Sequence, residues 1–305
     1  MNVRVKRHIK APPLKIQGIK TKLVPFIMKN INWDGNGRWL EPFLGSGVVL
    51  FNVAPQQALV ADTNEHIITF YQAVQNQTIT PFNLRAFLEQ EGEYLKKQGE
   101  SYYYSVRERF NATHNPFDFL FLNRSCFNGM MRFNSKGEFN VPFCRKPERF
   151  RPAYITKICN QVAWITRQMA GKDWQFMVQD WRETLALAEV DDFVYLDPPY
   201  NDRHADYYNR WQEGEADELA EAIKQLQCGF AYSTWKENKY RVNEHLLAHF
   251  ADYPIVTRNH FYHVGPTESL RNAMEEALVI APGYTAESYA DSLEKQTAQQ
   301  LTLAL

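Results

Sequence analysis

The apolar run Phe193-Val194-Tyr195-Leu196 is followed at once by Asp197-Pro198-Pro199-Tyr200. A short apolar run bounded by a turn reads as a buried strand. Two prolines end such a strand, because each removes a backbone donor and fixes φ. A carboxylate, rigid backbone carbonyls and an aromatic ring are thereby placed at the carboxyl end of a strand, where ligands sit in open α/β sheets. The chemistry suited to this arrangement is methylation of an exocyclic amine. The lone pair of such a nitrogen is delocalised into its ring. A carboxylate from Asp197 and the carbonyl of Pro198, accepting its two N–H bonds, favour a pyramidal nitrogen with the lone pair aimed at a donor methyl. Tyr200 can stack on the base, an interaction of about 1–3 kcal/mol. Taken alone, the tetrapeptide also fits a plain turn with a packed tyrosine.

The rest of the chain supplies the context. Arg38-Trp39-Leu40-Glu41-Pro42-Phe43-Leu44-Gly45-Ser46-Gly47 reads as a strand, a glycine turn and the start of a helix near Ser46. Ala58 to Asp62 reads as a second strand ending in an acid, with Thr63 or Asn64 capping a helix that runs to about Asn76. Glycines allow close backbone approach and a strand-end acid takes ribose hydroxyls, so this pair suits a nucleoside cofactor. Helical periodicity then covers 81–98, 101–113, 116–126 and 152–170, around a stretch at 128–144 rich in turn residues that reads as a hairpin or irregular loop. Strands are expected at 174–179 (ending in Asp180), 192–196, 229–233, 254–258 and 276–281, with helices at 215–227 and 238–250. The expectation is one α/β sheet interrupted by an insertion at about 72–165, with a polar tail from 286.

Composition bounds the class. With 45% hydrophobic and 23% charged residues over 305 positions, the chain is an ordinary globular protein with room for a large domain and a smaller one. No apolar run reaches the roughly 18 residues of a membrane span, the basic N-terminus lacks a signal-peptide core, and a cytoplasmic location is expected. Cys126, Cys144, Cys159 and Cys228 show neither disulfide nor zinc spacing. His260 and His263 have H-x-x-H spacing but no nearby Cys or third ligand, His245 and His249 lie one helical turn apart and read as helix surface, and no metal is expected. The net charge of −1 hides two basic segments: seven Lys/Arg and no acid in residues 1–22, and seven Lys/Arg against two acids in 123–151. Such segments on a neutral protein point to a polyanion contact confined to one face.

Together these residues resemble the Dam-like DNA adenine-N6 methyltransferases (D12 class, alpha group). The resemblance covers roughly residues 10–282 and rests on ordered matches: Leu14 to Lys20, Glu41-Pro42-Phe43-Leu44-Gly45-Ser46-Gly47, Ala61-Asp62-Thr63-Asn64, Asn123-Arg124, Phe127-Asn128-Gly129, Arg132-Phe133-Asn134, Gly137 to Phe143 and Asp197 to Tyr200. Within the class, Gln17 to Pro25 and Phe119 to Asn140 are most similar to the EcoRV-type modification enzymes, which act on GATATC. The resemblance implies a Rossmann-like methyltransferase sheet with a mainly helical inserted DNA-recognition domain carrying a hairpin. The catalytic domain would be 10–71 and 166–285, and the recognition domain 72–165. It further implies S-adenosylmethionine as cofactor, held by Ile16, Lys20, Glu41, Phe43, Gly45, Gly47, Asp62 and Asp180. Catalysis falls to Asp197, Pro198, Pro199 and Tyr200. Double-stranded DNA would be met by Lys15, Arg124, Phe127, Asn128, Met130, Arg132 and Arg145. The chain departs from the pattern in having Ile16 where the family has tryptophan, Ile19 where it has glycine, and Phe127 where it has tyrosine.

The implied activity is site-specific transfer of a methyl group to a flipped adenine in a short palindrome, GATATC-like or GATC. The enzyme would act as a monomer and form the modification half of a type II restriction-modification system. An adenine inside a duplex is out of reach, so flipping is required at a cost of a few kcal/mol. Apolar wedges such as Phe127 and Met130 can fill the gap, while Arg132 and Arg145 can contact guanine or phosphate. Two other readings remain at this stage: methylation of RNA adenine or protein glutamine, and a DNA-binding protein that has kept the fold without the chemistry.

Overall fold

A computed structural model of the chain describes residues 8–199, 214–239, 241–261 and 273–286. Tyr200, His263 and most of the tail lie outside them. Seven strands form one sheet: β1 (Trp39–Glu41), β2 (Gln57–Asp62), β3 (Asp173–Val178), β4 (Phe193–Leu196), β5 (Gly229–Asn238), β6 (Ile255–Phe261) and β7 (Ala273–Ile280), in the order β3-β2-β1-β4-β5-β7-β6. β2 pairs with β3, β1 with β4 and β4 with β5 in parallel, whereas β7 runs antiparallel to β5 and β6. β4 is buried along its whole length, as an apolar run covered on both faces of a parallel sheet must be. The strand order reverses between β1 and β4. The expected α/β architecture, a mostly parallel Rossmann-like sheet, is therefore present.

The chain divides into two compact units, residues 8–24 with 44–180 and residues 25–43 with the described residues from 181 onward. Strands β2 and β3 fall with the inserted helices in the first unit, and the remaining strands with the second.

The first unit holds α2 (Val48–Val53), α3 (Glu65–Gln75), α4 (Pro81–Gln98), α5 (Glu100–Thr113), α6 (Pro116–Ser125) and α7 (Pro152–Met169). Caps written in the sequence set their starts. The Asn64 side chain accepts from His66 N–H, Thr80 and Asn83 form a reciprocal capping box ahead of Pro81, and Asn115 accepts from Phe117 N–H ahead of Pro116. Phe51 packs against Tyr71, Trp164 and Trp174 with ring centroids 5.2, 5.9 and 5.6 Å away.

The second unit begins with most of α1 (Val24–Asn30) and continues with α8 (Trp181–Ala186), α9 (Glu215–Lys224) and α10 (Glu244–Phe250). Neither α1 nor α8 is legible from the sequence. Strand β5 also runs to Asn238, where a helix is expected to begin, because it pairs with β7 as far as Asn238↔Met274, through a register shift between Trp235 and Glu237. Long-range pairing overrides local periodicity there. Helix α10 then starts six residues later, capped by Asn243, whose side chain accepts from Leu246 N–H at 3.1 Å and donates to the Trp235 carbonyl at 2.8 Å. Among the described residues no helix is long and apolar enough to cross a membrane.

Pairing of β1 with β4 is fastened at its start. Trp39 stands opposite Phe193 and stacks on it at 5.4 Å, with Tyr195 at 5.9 Å. The buried Asp192 carboxylate accepts from the Arg38 backbone N–H at 2.8 Å, from its guanidinium at 2.7 Å and 3.2 Å, and from Glu189 N–H at 2.8 Å. Burial pushes the Asp192 carboxyl up, but these bonds outweigh it and hold it below its ordinary value. Its stabilisation is thus complete above the unfolded pKa and disappears as pH falls through the lower folded one. Arg38→Met should leave a buried carboxylate without its cation and cost about 1–3 kcal/mol in urea unfolding at neutral pH, with the difference from wild type shrinking in acid.

Candidate functional site

In the second unit, β1 and β4 end side by side. Glu41 closes β1 as a buried carboxylate, accepting from Trp39 Nε1 at 3.1 Å. Leu196 closes β4, and Asp197 follows it half-buried, ahead of a buried Pro198 and a half-buried Pro199. Because Leu40 pairs with Val194 in parallel register, both acids leave the same edge of the sheet. Asp197 also faces Tyr232, which pairs from β5 with Leu196. The Tyr232 phenol is pushed up to about 12 by burial, with the Asp197 charge adding to it against a hydrogen bond with Thr234. A carboxylate at a point of strand-order reversal is placed to receive a ligand.

In the first unit, Leu44 to Gly47 form a loop pinned to the end of β2. Leu44 N–H donates to the Ala61 carbonyl at 2.8 Å and Gly45 N–H to Asp62 Oδ2 at 2.8 Å, while Asn64 N–H donates to Asp62 Oδ1 at 2.9 Å. Gly45 and Gly47 take φ of 49° and 66°, and a Cβ on Gly47 would stand 2.7 Å from the Phe51 ring. Only glycine meets both demands at position 47. Burial pushes the Asp62 carboxyl up to about 6, against the two N–H bonds that favour its charged form. Each of its oxygens has one N–H partner and keeps a further acceptor site, which fits a ligand that presents hydroxyls. Ile16 lies over the loop, its Cδ1 3.7 Å from where a Gly45 Cβ would be. Lys20 is buried, and Asp180 follows β3 half-buried.

The hairpin is present but irregular. Bridges Cys126↔Phe143 and Phe133↔Phe139 hold its arms. At the tip the Asn134 side chain accepts from Lys136 and Glu138 N–H at 2.9 and 3.0 Å. Phe127 is half exposed, Asn128 and Arg145 are exposed with φ of 54° and 55°, and Met130 is half-buried. Arg132 is turned onto the opposite arm, where its Nε donates to Asn140 Oδ1 at 2.8 Å.

Arg124, which the resemblance places at DNA, is buried, with its guanidinium donating to Gln161 and to the Tyr154 hydroxyl. Lys15, by contrast, is placed by fully buried Asn123, which accepts from its N–H and donates to its carbonyl, both at 2.8 Å. Burial lowers the Lys15 ammonium, with Tyr154 opposing and Arg149 and Arg124 adding to the effect. Arg149 donates to the Tyr154 hydroxyl at 2.9 Å and stacks on its ring at 4.5 Å. Burial alone would raise the Tyr154 phenol, but Arg124, Lys15 and Arg149 together bring it below its ordinary value. Lys146, Glu148, Arg149, Arg151 and Tyr154 line a pocket of about 390 Å³. Arg149 and Tyr154 belong to this cationic cluster and are absent from the residues read off the sequence. Only the local charge density of 123–151 pointed towards them.

A second residue missed by sequence is His66. It is buried beneath the hairpin, stacked on Phe133 at 5.0 Å and edge-on to Phe110 at 4.9 Å. Burial among these rings pushes it down to about 4, so it is neutral at physiological pH.

Comparison with known proteins bears on this geometry. The family model for the D12 class N6 adenine-specific DNA methyltransferase matches residues 17–264. A type II methyltransferase of Methanocaldococcus jannaschii is 30% identical over 207 residues, which are 62% of this chain and 68% of that protein. A DNA adenine methylase of Serratia marcescens is 32% identical over 191 residues, 61% of this chain and 66% of its own length. That of Haemophilus influenzae is 31% identical over 196 residues, 62% and 63% respectively. The chain thus spans about two thirds of the length of these three relatives.

Because His66 is neutral when folded, unfolding takes up a proton between pH ~4 and ~6.5, so stability falls as pH drops through that window. His66→Phe keeps the aromatic packing and cannot titrate. Its melting temperature should fall less than that of wild type between about pH 7 and about pH 5 in thermal denaturation.

Proposed function

The chain belongs to the D12 class N6 adenine-specific DNA methyltransferase family, and from that membership we propose that it methylates N6 of an adenine flipped out of a short palindromic DNA site, using S-adenosylmethionine. The observation that carries the reading is Asp197-Pro198, set at the end of β4 beside the end of β1. The Asp197 carboxylate and the Pro198 carbonyl accept the two N6 protons and turn the nitrogen lone pair outward. As the N–C bond forms, N6 becomes cationic and gives up a proton, for which Asp197 is the nearest acceptor in this scheme. Tyr200 is assigned the stack on the flipped base, although it lies outside the described residues.

The residues of the glycine loop fit the cofactor. Asp62 has acceptor sites left for ribose hydroxyls, Gly45 and Gly47 allow a close backbone approach, and Ile16 gives the loop an apolar cover. Glu41, Phe43, Lys20 and Asp180 are assigned to the same cofactor through the family pattern. When bound, S-adenosylmethionine supplies an electrophilic methyl on a sulfonium that leaves as a neutral thioether.

DNA is assigned to the hairpin and the cationic cluster. Phe127 and Met130 serve as wedges and Asn128 as a hairpin-tip contact. Arg145 reads a base, Arg132 holds backbone or base, and Lys15 with Arg149 and Arg151 holds phosphate. Arg124 supports Tyr154 from below. The favoured site is GATATC-like, with GATC as the other candidate, and the setting is the modification half of a type II restriction-modification system.

Tritiated-methyl transfer to duplexes carrying GATATC, GATC or neither, and to RNA and protein, tests the reading. Label should enter N6-methyladenine in one duplex only, and label in RNA or protein alone would overturn it. Asp197→Ala should lower transfer by about 10²–10³-fold, as loss of one aimed polar group does, while cofactor affinity stays within about tenfold. Wild-type turnover in that variant would exclude the mechanism.

Asp62 gives a pH signature. Its carboxyl ionises near 6 in the free protein, and only the ionised form accepts from both ribose hydroxyls. Calorimetry should find S-adenosylmethionine affinity level above about pH 7 and falling as pH drops below about 6, and Asp62→Asn should show weak binding without that inflection. An unchanged affinity in Asp62→Asn would remove Asp62 from the cofactor site.

A further inference from the structure

His245 and His249 lie four residues apart on α10, so they share one face of the helix. The spacing alone reads as a solvated face. The structure adds a third group, because Asp217 in the first turn of α9 reaches both rings: its Oδ1 is 2.9 Å from His249 Nε2 and 3.3 Å from His245 Nε2. The three ligand atoms lie within 4.8 Å of one another.

Several features go beyond a chance meeting of side chains. His245 Nε2 is enclosed and makes no hydrogen bond, although the ring is held by the Ala216 backbone. On the other side of the His249 ring, Nδ1 is 3.2 Å from Glu221 Oε1. A metal-bound histidine commonly carries an outer carboxylate on its second nitrogen, which fixes the tautomer and the ring direction. Lys224 also lies on that side, 3.2 Å from Nδ1, where Glu221 pairs with it at 2.8 Å. The elements presenting the ligands are themselves anchored. Asn243 ties the start of α10 to β5, and Arg182 pairs with Glu215 and Glu218 on α9.

The geometry points to a divalent transition-metal site formed by Asp217, His245 and His249, with Glu221 as outer partner of His249. Zinc bound at about 2.0–2.1 Å in a tetrahedron has ligand atoms about 3.3 Å apart, close to the two separations above. A donor set of two imidazoles and one carboxylate selects zinc, cobalt(II) or nickel over magnesium or calcium. The fourth position falls to water. Such an ion would join α9 to α10, apart from the strand-end chemistry, and methyl transfer from a sulfonium does not require it.

Calorimetric titration of the untagged full chain with zinc chloride tests this, with cobalt(II) chloride as a spectroscopic probe. One ion per chain should bind, and the cobalt form should show the intense visible bands of a four-coordinate site. His245→Ala and His249→Ala should each weaken binding by about a hundredfold, and Glu221→Gln by about tenfold. The melting temperature of wild type should rise with zinc concentration, and that rise should vanish in His249→Ala. His114→Ala, which removes a histidine from the other grouping of His66, His114 and Glu65, should bind as wild type does. Asp217→Asn provides an independent variant should a histidine variant fold poorly. Absence of saturable binding, or binding that both histidine variants retain, would overturn the site.

Discussion

The parallel pairing of β1 with β4, clamped by the Asp192 carboxylate on Arg38 and by the stack of Trp39 on Phe193, sets where these two strands begin and end. Strand order reverses at this pair, so the carboxyl ends of β1 and β4 lie at the kind of position where ligands sit in open α/β sheets. Glu41 and Asp197 stand at those ends because each is the first polar group after a buried run. Pro198 and Pro199 make the stop at Asp197 absolute, since neither can donate to a further ladder bond. A hydrophobic strand, a paired acid at its start and a proline stop at its end thus fix the place of the Asp197 carboxylate.

The glycine loop follows a related logic within the other unit. There an acid at the end of β2 binds the backbone of the preceding loop, so the group assigned to the ligand also shapes the loop that receives it. Burial raises the Asp62 carboxyl, and the loop's own N–H bonds from Gly45 and Asn64 oppose that rise. The hairpin is supported from beneath by His66 against Phe133 and by Tyr103, whose hydroxyl donates to the Val141 carbonyl at 2.7 Å. Phe127, Asn128 and Arg145 stay exposed, while the buried residues carry the support.

Much was legible in the chain itself. The cap at Asn64, the helical periodicity over 81–98 and 116–126, and the apolar run before Asp197 act through neighbours a few residues away, and the elements they announce lie where they were expected. The glycine turn and its strand-end acid were equally plain, since both are local demands on backbone and charge. What the sequence determined alone, then, was the starts of α3, α4, α6 and α7 and the strand-end positions of Asp62 and Asp197.

Only the tertiary structure decided which charged side chains face outward and which groups distant in sequence converge. Arg124 and Arg145 read alike in a basic segment, yet one is enclosed by Gln161 and Tyr154 and the other is exposed. Strand β5 overran a helical pattern because β7, some forty residues later, offered it a ladder. His66 became a neutral buried ring because Phe133 folds onto it, and Asp217 met His245 and His249 because α9 and α10 lie side by side. In each case the deciding energy is burial or pairing with a residue far along the chain, which local spacing does not encode.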